Sequence, residues 1–382
     1  MQRSHKIRLN PNNAQATYFA KACGCARLAY NWGLAEWVRQ YEAGGKPSAF
    51  GLKKQFNAIK RQEFPWITEV TKCSPERAFD DLDRAFKNFF RNVKQGKKLG
   101  FPRFKKKGVK DSFYIPNDKF SIHEDYIKIP KLGIVRMTEP LRFQGKIMSA
   151  VVSKGATGWF ASIAVNITDG EECSDNQVHS SIGVDLGVTK LATLSNGVVF
   201  ENPRVTKTYE VRLRRLNKSL ARKKKGSNNR KKAKEKLTKL HYKISCIRKD
   251  ATHKMTHYLA TNYSDICIED LNVAGMVRNR KLAKVISDCS FAEIRRQLEY
   301  KAVRVHTVGR FFPSTKLCMN CGQLHEMPLS NRTFSCDCGT PDMDRDLHAA
   351  KTIEVEGLRA YTEGFSGFQA CGDSSSGTNL SV

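Results

Sequence analysis

The sequence predicts a multidomain protein of mixed α+β and α/β structure. In it, a β-barrel with a helical insertion precedes an α/β part that contains a metal ribbon. The chain has 382 residues, too many for one ordinary hydrophobic core, so two to four units are expected. Apolar residues recur at helical spacing in the first hundred residues, and short apolar runs punctuated by proline and glycine follow. Two closely spaced cysteine pairs come later.

The β-rich part is predicted from residues 112–167, where apolar runs such as YIKIP and GIVRM alternate with proline and glycine. This pattern is typical of a barrel of short strands. Residues 3–9 form a further strand pattern that could complete the barrel. The helical segment between these two stretches would then be an insertion.

Three helices are expected in that insertion. The first would start after Asn10, a residue type that caps helices, and run to about residue 41. The second is expected near residues 50–61, and the third from Ser74 as its cap. We interpret most of the aromatic side chains of these helices as core residues.

Charge limits the kinds of partner. The formal net charge is +29, and a value this large favours a polyanion, with nucleic acid as the most common case. A membrane surface is the alternative, but no apolar run has the length of a spanning helix and the first ten residues lack the apolar core of a signal peptide. Six of the twelve cysteines are scattered singly, which is typical of reduced thiols, so a cytoplasmic location is expected.

Two segments concentrate the basic charge. In the first, around residues 94–110, phenylalanines lie among lysines, a pattern that suits a phosphate backbone with a stacked base, although a solvated interdomain loop is an equal alternative. The second segment, from Arg212 to Lys249, contains seventeen lysines and arginines and one acid, Glu235. A helical hairpin is predicted there, with Gly226 in its bend. The predicted nucleic-acid contacts are Lys97, Lys98, Phe101, Arg103, Phe104, Lys105, Lys106, Arg222, Lys223, Lys224 and Lys225.

Acidic residues follow apolar segments at three separated places. Asp185 ends one predicted buried strand, and Glu269, with Asp270 beside it, ends another. Asp344 and Asp346 lie at the start of a predicted helix. Each acid alone would be taken for a turn or cap residue, but together they could form one oxygen-rich site for Mg²⁺. Paired ions in such a site can cleave a phosphodiester.

The cysteine pairs have the spacing of a structural zinc site. Glycines follow both pairs, and Gly322 and Gly339 would let backbone amides turn towards the sulfurs. His325 is a further candidate ligand, which we place on the loop. Because four thiolates fill a tetrahedral site, the zinc would be structural rather than catalytic. The predicted zinc ligands are Cys318, Cys321, Cys336 and Cys338.

The motifs GVDLG, IEDL and DRD before Ala-Ala occur in this order, with the cysteine site before the third. This arrangement resembles the RuvC-like nuclease of the TnpB family, transposon-encoded RNA-guided DNA endonucleases similar to the type V CRISPR effectors. The string GFPRFKKKG also resembles a segment common in that family. The chain departs from the usual motif at His348 and Thr352, where the family has asparagine.

The resemblance implies an RNase H-like (RuvC) fold for the second half, with Asp185, Glu269 and Asp346 as catalytic acids that hold two Mg²⁺ ions. It implies guide RNA and double-stranded target DNA as partners, cutting next to a short flanking motif, and we expect a monomer on one RNA in the prokaryotic cytosol. The expected domains are a β-barrel (1–10 and 111–168), a helical recognition domain (11–110), a RuvC-like nuclease (169–309 and 342–370) that opens with a polar linker at 168–180, a zinc ribbon (310–341) and a disordered tail (371–382).

Two other functions fit parts of the sequence. An RNA-independent, structure-selective nuclease of the RuvC type would use the same acids, but the long basic N-terminal half is more than such an enzyme requires. A non-enzymatic nucleic-acid-binding protein with a zinc ribbon would leave three spaced acids without a role. Sequencing of the nucleic acid that copurifies with the protein would separate the first function from both alternatives.

Overall fold

The structure is a computed structural model that describes residues 2–97, 100–167, 180–328 and 330–369, with side chains as far as residue 360. The chain forms two compact units, residues 1–172 and 173–382. Lys98, nearly all of the predicted linker and the whole predicted tail at 371–382 lie outside the described residues.

The first unit combines an antiparallel sheet with α-helices. The helices are α1 (Asn13–Glu42), α2 (Ala49–Glu63) and α3 (Cys73–Lys94). The strands are β1 (Gln2–Asn10), β2 (Ser112–Pro116), β3 (Ser121–His123), β4 (Tyr126–Ile129), β5 (Gly133–Met137), β6 (Lys146–Lys154) and β7 (Trp159–Asn166). They are ordered β2-β6-β7-β1-β5-β4-β3, so the N-terminal strand lies inside the sheet. Among the described residues the edge strands β2 and β3 do not pair, so the sheet is open and the predicted closed β-barrel is not confirmed.

The helices and the sheet of this unit share one hydrophobic core. Phe19 of α1 packs against Phe113 and Trp159 of the sheet, with ring centroids 5.9 and 5.2 Å apart. Two predicted helix starts are wrong. Asn12, not Asn10, caps α1, because its side chain accepts the backbone N–H of the third helical residue. Ser74 lies inside α3, where its hydroxyl donates to the carbonyl of α1 instead of capping.

The described residues of the second unit form seven strands and seven helices. The strands are β8 (Ser181–Asp185), β9 (Lys190–Leu194), β10 (Val199–Glu201), β11 (Asp265–Glu269), β12 (Arg304–Val308), β13 (Thr333–Cys336) and β14 (Thr340–Asp344). The helices are α4 (Val205–Thr208), α5 (Glu210–Ala221), α6 (Asn228–Asn262), α7 (Val273–Arg278), α8 (Ala283–Cys289), α9 (Phe291–Lys301) and α10 (Arg345–Gln369). Five strands form a mixed sheet of order β10-β9-β8-β11-β12, and β13 pairs with β14 in a separate ribbon.

The mixed sheet is covered on both faces, as its sequence requires. In β11, Ile266 and Ile268 face a core formed with α6 and α9, whereas Cys267 between them packs with Ile353 of α10. This alternation has the period of two that a strand imposes, so both faces of β11 are buried. The strand predicted at 303–312 ends earlier, at Val308, because the next residues form a turn.

Candidate functional site

Two of the predicted acids lie side by side at one edge of the mixed sheet. Strands β8 and β11 are adjacent and parallel, and Val184 pairs with Ile268 in their register. Asp185 and Glu269 are the next residues, and each is the last residue of its strand. Because the carboxyl ends of parallel strands meet at the same edge, both carboxylates belong to one site.

Close contact between α10 and β8 brings the third acid to the same edge. Gly183 lies so near α10 that a Cβ atom there would be 1.9 Å from the carbonyl oxygen of Ala350. One helical turn later, Glu354 accepts a hydrogen bond from Ser181, at the start of β8. The helix therefore runs antiparallel to β8, and its first turn, with Asp346, lies beside the end of that strand.

The electrostatics of Asp185 reflect this arrangement. Burial, and then the nearby carboxylates of Glu269 and Asp346, raise the pKa of Asp185 to about 7. In the described part of the chain, oxygens of the three acids do not all come within 4.8 Å of one another. Such spacing is too wide for one shared ion, but ions in a paired site are themselves about 3.5–4 Å apart. Half-buried acids that repel one another fit a site that is completed by divalent cations.

The two neighbouring acids are engaged elsewhere. Asp270 forms ion pairs with Arg295 at 2.6 Å and Arg310 at 2.5 Å, and these guanidinium groups lower the pKa of Asp270. Asp344 accepts the backbone N–H groups of Asp346 and Leu347, so it caps α10, as the sequence predicts. These contacts favour Glu269 and Asp346 as the metal ligands.

Two further residues contact the acids and were missed by sequence reasoning. The hydroxyl of Ser314 donates to Glu269 Oε1 at 2.5 Å and so fixes the orientation of that carboxylate. The ammonium group of Lys190 lies 3.4 Å from Asp344 and 3.7 Å from Asp346. No local pattern could have identified Ser314, since 45 residues separate it from its partner.

The four predicted cysteines form a compact cluster, with all Sγ atoms within 4.8 Å of one another. The Sγ atoms of Cys318 and Cys338 are 3.6 Å apart, as are those of Cys321 and Cys336. A tetrahedral zinc ion with Zn–S bonds of about 2.3 Å separates its sulfurs by about 3.8 Å, so the cluster fits zinc. Both flanking glycines, at 322 and 339, adopt positive φ, a backbone conformation that glycine reaches without a steric cost. Any zinc here would be structural, since four thiolates leave no open coordination position.

The ribbon is attached to the start of α10 by an aromatic stack. The ring of His348 lies 3.5 Å from the ring of Phe334 in β13, at an interplanar angle of 12°. His348 is buried, which lowers its pKa to about 4, and neither ring nitrogen has a hydrogen-bond partner among the described residues. His325 contacts the same Phe334 edge-on and is not part of the thiol cluster. His348 therefore packs against the ribbon.

The first predicted basic segment is held on α1. The backbone of Lys105 pairs with Asn31 in both directions, and its ammonium lies 4.1 Å from the centre of the Tyr30 ring. Phe101 touches other aromatic rings of α3 but keeps 47% of its surface exposed, and Phe104 keeps 56%. The remaining described members, Lys97, Arg103 and Lys106, are exposed.

The second basic segment forms the predicted hairpin. Gly226, with φ of +86°, lies in the bend between α5 and α6, and Arg230 donates to two carbonyls at the end of α5. Leucines of α5 pack against Leu240 and Ile244 of α6. Of the seventeen basic residues, two, Arg214 and Arg248, reach a described acid within 4.0 Å. The outer faces of the hairpin are therefore strongly positive.

No described helix combines the length and apolar character that crossing a membrane requires.

Three family models match the chain. Residues 163–280 match the IS605 OrfB model described as "Probable transposase". Residues 1–46 match the associated "Helix-turn-helix domain". Residues 291–353, which include the cysteine cluster, match the "Cas12f1-like, TNB domain".

Curated relatives match over nearly the whole chain. A protein of Streptomyces pristinaespiralis named "Putative RNA-guided DNA endonuclease" is 32% identical over 98% of this chain and 92% of its own length. InsQ of Escherichia coli K12, named in the same way, is 33% identical over 92% of this chain and 91% of its own length.

Among solved structures, one titled "Cryo-EM structure of the Cas12f1-sgRNA-target DNA complex" covers 90% of this chain and 83% of that chain. Its TM-score is 0.59 and its sequence identity is 16%, so the likeness concerns the fold alone. The overall fold is thus a mixed α/β multidomain fold similar to a Cas12 effector. With relatives above 30% identity across more than nine tenths of its length, the chain belongs to the TnpB (IS605 OrfB) family.

Proposed function

We propose that this protein is an RNA-guided, metal-dependent DNA endonuclease that cuts target DNA next to a short flanking motif by two-metal hydrolysis. One observation carries the proposal: three acids from β8, β11 and α10 converge at one sheet edge in a chain whose full-length relatives bear the name of RNA-guided DNA endonucleases. The net charge of +29 supports nucleic-acid partners. The partners in this proposal are a guide RNA and double-stranded target DNA.

Asp185, Glu269 and Asp346 are the proposed ligands of two Mg²⁺ ions. When bound, these ions would supply the positive charge that activates a water molecule and stabilises the leaving oxygen of a phosphodiester. Glu269 is held for this role by the hydroxyl of Ser314, and Asp346 by its position in the first turn of α10. Burial and the charges of the two other carboxylates disfavour the ionised form of Asp185, and a bound cation would offset both effects.

The zinc ribbon is proposed to have a structural role. Cys318, Cys321, Cys336 and Cys338 would hold one zinc ion, and the strand β14 leads directly into α10. The ion would therefore stabilise the chain segment that delivers Asp346. The basic loop around Phe101 and the hairpin tip around Arg222 are proposed to contact RNA or DNA backbones. Among the predicted contact residues that the structure describes, Lys105 pairs with Asp81 at 3.5 Å and the other cations have no acidic partner within 4.0 Å.

The test is plasmid cleavage by the purified protein–RNA complex. RNA that copurifies with the protein is sequenced and its guide region is matched to a plasmid target with a randomised flanking sequence. Asp185→Ala, Glu269→Ala and Asp346→Ala should each lower the rate of cutting by orders of magnitude, since each removes an oxygen ligand. Binding of RNA and target should stay close to wild type. If all three variants cut normally, the proposed site is wrong.

Two comparisons sharpen this test. Asp344→Ala is the matched control for Asp346→Ala, because Asp344 caps the helix and pairs with Lys190, and the loss of the cap should cost about 0.5–2 kcal/mol of stability. Ca²⁺ in place of Mg²⁺ should permit binding and suppress cutting, since its coordination is looser. Cutting of branched DNA without RNA would favour a structure-selective nuclease, and stable binding without any cutting would favour a non-enzymatic protein.

A further inference from the structure

Phe311 has the most exposed large apolar side chain among the described residues, with 94% of its surface accessible. It lies in the turn that follows β12, the strand next to β11 in the mixed sheet. Strand β12 runs parallel to β11, so this turn leaves the sheet at the edge where Glu269 ends its strand. An exposed aromatic residue on its own needs no explanation, but its attachment to the acidic edge does.

Contacts on both sides fasten the turn to Glu269 and Asp270. Before Phe311, Arg310 donates to the carboxylate of Asp270 at 2.5 Å and to its carbonyl at 3.3 Å. After it, Ser314 donates to Glu269. The intervening Phe312 packs onto the buried cluster of Cys267, Val308 and Ile353, and its N–H closes the turn onto Gly309. The turn is thus fixed on both sides of Phe311, and the exposed phenyl ring is carried by a turn that leaves the sheet at the edge where Glu269 lies.

A neutral aromatic ring is suited to hold a nucleic acid at this place. The three carboxylates bind cations in their charged form, and the ammonium group of Lys190 already lies 3.7 Å from Asp346. A further lysine or arginine at the turn would add to the competition with those cations. An aromatic ring binds a base by stacking and leaves the charge of the site unchanged. Stacking requires a base with an open face, which a paired and stacked base inside a duplex does not offer. Guide pairing separates the target strands and produces such unpaired bases.

We propose that Phe311 stacks on an unpaired base of the DNA strand being cut, next to the phosphodiester presented to Asp185, Glu269 and Asp346. The inference rests on the proposed function of the site and adds a substrate-binding residue to it. Phe311 would hold the strand in register with the acids, so its loss should affect the rate and position of cutting and not the capture of guide RNA.

The first experiment compares Phe311→Ala with Phe311→Trp in single-turnover cleavage of a guided target. The alanine variant should cut about 5- to 150-fold more slowly, the factor expected if the full binding contribution of one stacked base is lost, whereas tryptophan should restore cutting. Phe50→Ala is the matched control, since Phe50 in the first unit is also highly exposed, at 81%. Thermal unfolding of Phe311→Ala should equal that of the wild type, because an exposed ring contributes little to folding.

The second experiment locates the base. One series of targets carries a single abasic nucleotide at successive positions around the cut. A second series carries 2-aminopurine at the same positions, and its fluorescence is quenched where the base is stacked. The fluorescence is measured with Ca²⁺ in place of Mg²⁺, so that the target is bound but not cut. At one position the abasic target should slow the wild type as much as Phe311→Ala does, and the two changes together should cause no further loss. At that position the variant should also leave 2-aminopurine unquenched.

The outcomes separate this inference from the proposed function. Normal cutting and normal quenching by Phe311→Ala, while the wild type cuts, would overturn the stacking role alone. The stacking role is also overturned if abasic penalties add fully to the effect of the variant, since the ring would then bind something other than that base. A wild-type protein that cuts no guided target would overturn the proposed function first.

Discussion

Gly183 and Ala350 are in direct contact, and their closeness determines where α10 lies. A Cβ atom on Gly183 would be 1.9 Å from the carbonyl oxygen of Ala350 and 2.8 Å from the backbone nitrogen of Glu354. Both neighbours are backbone atoms of a helix, which cannot move aside as a flexible side chain can. Glycine is thus required in the middle of β8, although it weakens a strand by itself.

Replacement of this glycine should therefore displace α10 and the acid at its start. Gly183→Ala is expected to lower the free energy of unfolding by about 1–3 kcal/mol, the usual cost of overpacking. It should also reduce guided cleavage strongly, because Asp346 moves away from Asp185. Thermal unfolding and single-turnover cleavage measure both effects.

Gly309→Ala is the matched control for that variant. A Cβ atom on Gly309 would meet nothing within 4 Å, and the residue does not have positive φ. Stability and cutting should both stay near wild type. If Gly183→Ala behaves like Gly309→Ala, the contact between β8 and α10 does not position the site.

The charge of Asp185 should destabilise the protein when Mg²⁺ is absent. Its folded pKa is raised to about 7 from 3.8, so the charged form is disfavoured on folding, and at neutral pH the ionised carboxylate lowers stability. Asp185→Asn keeps the shape and removes the charge. In Mg²⁺-free buffer this variant should be more stable than the wild type by about 1–3 kcal/mol.

Added Mg²⁺ should reverse that order. Cation binding stabilises the wild type by mass action, whereas Asp185→Asn has lost a ligand and should gain little. Chelators are avoided, since they would also remove zinc; dialysis against metal-free buffer suffices. A wild type that is more stable than Asp185→Asn without Mg²⁺ would contradict the proposed repulsion among the acids.

Local sequence pattern predicted the parts of this fold that depend on local chemistry. Strands β8 and β11 and the acids at their ends follow from apolar runs that stop at a carboxylate, and the thiol cluster follows from spacing. Contacts between distant segments were missed, such as Ser314 with Glu269 and His348 with Phe334. The sequence also predicted a closed barrel where the described strands form an open sheet, because strand patterns do not determine whether the two edge strands pair.

Zinc should be present at about one ion per chain, and Cys318→Ser should abolish its binding. Cys318 is fully buried and its sulfur lies against that of Cys338, so the variant loses a ligand that water cannot easily replace. Metal analysis of freshly purified protein gives the stoichiometry. Because Phe334 of the ribbon stacks on His348, amide hydrogen exchange should rise in residues 310–345 and in the first turns of α10.

The exposed Cys246 supplies the control for this variant. It lies on α6 and is not part of the thiol cluster, so Cys246→Ser should keep full zinc content and normal exchange. If protein purified without zinc shows the same protection from hydrogen exchange in the ribbon, the fold of the ribbon does not depend on a metal.

Nucleic-acid binding should depend steeply on salt, and the hairpin bend should account for part of that dependence. Arg222, Lys223, Lys224 and Lys225 follow the end of α5, and none of them pairs with a described acid within 4.0 Å. If they bind phosphates, their replacement by glutamine should lower the slope of log K against log salt by about 0.7–0.9 for each phosphate that is no longer neutralised. Folding should be unaffected, because Arg230 bonds the bend through backbone carbonyls that the variant retains.

The control for this variant removes the same charge from cations that are already paired. Lys87, Lys119, Lys254 and Arg359 each have an acidic partner within four residues along the chain. Both quadruple variants reduce the net charge from +29 to +25, so a general field effect would weaken binding equally in the two. A lower slope in the bend variant alone assigns the phosphate binding to the hairpin, and an unchanged slope would mean that the bend points into solvent.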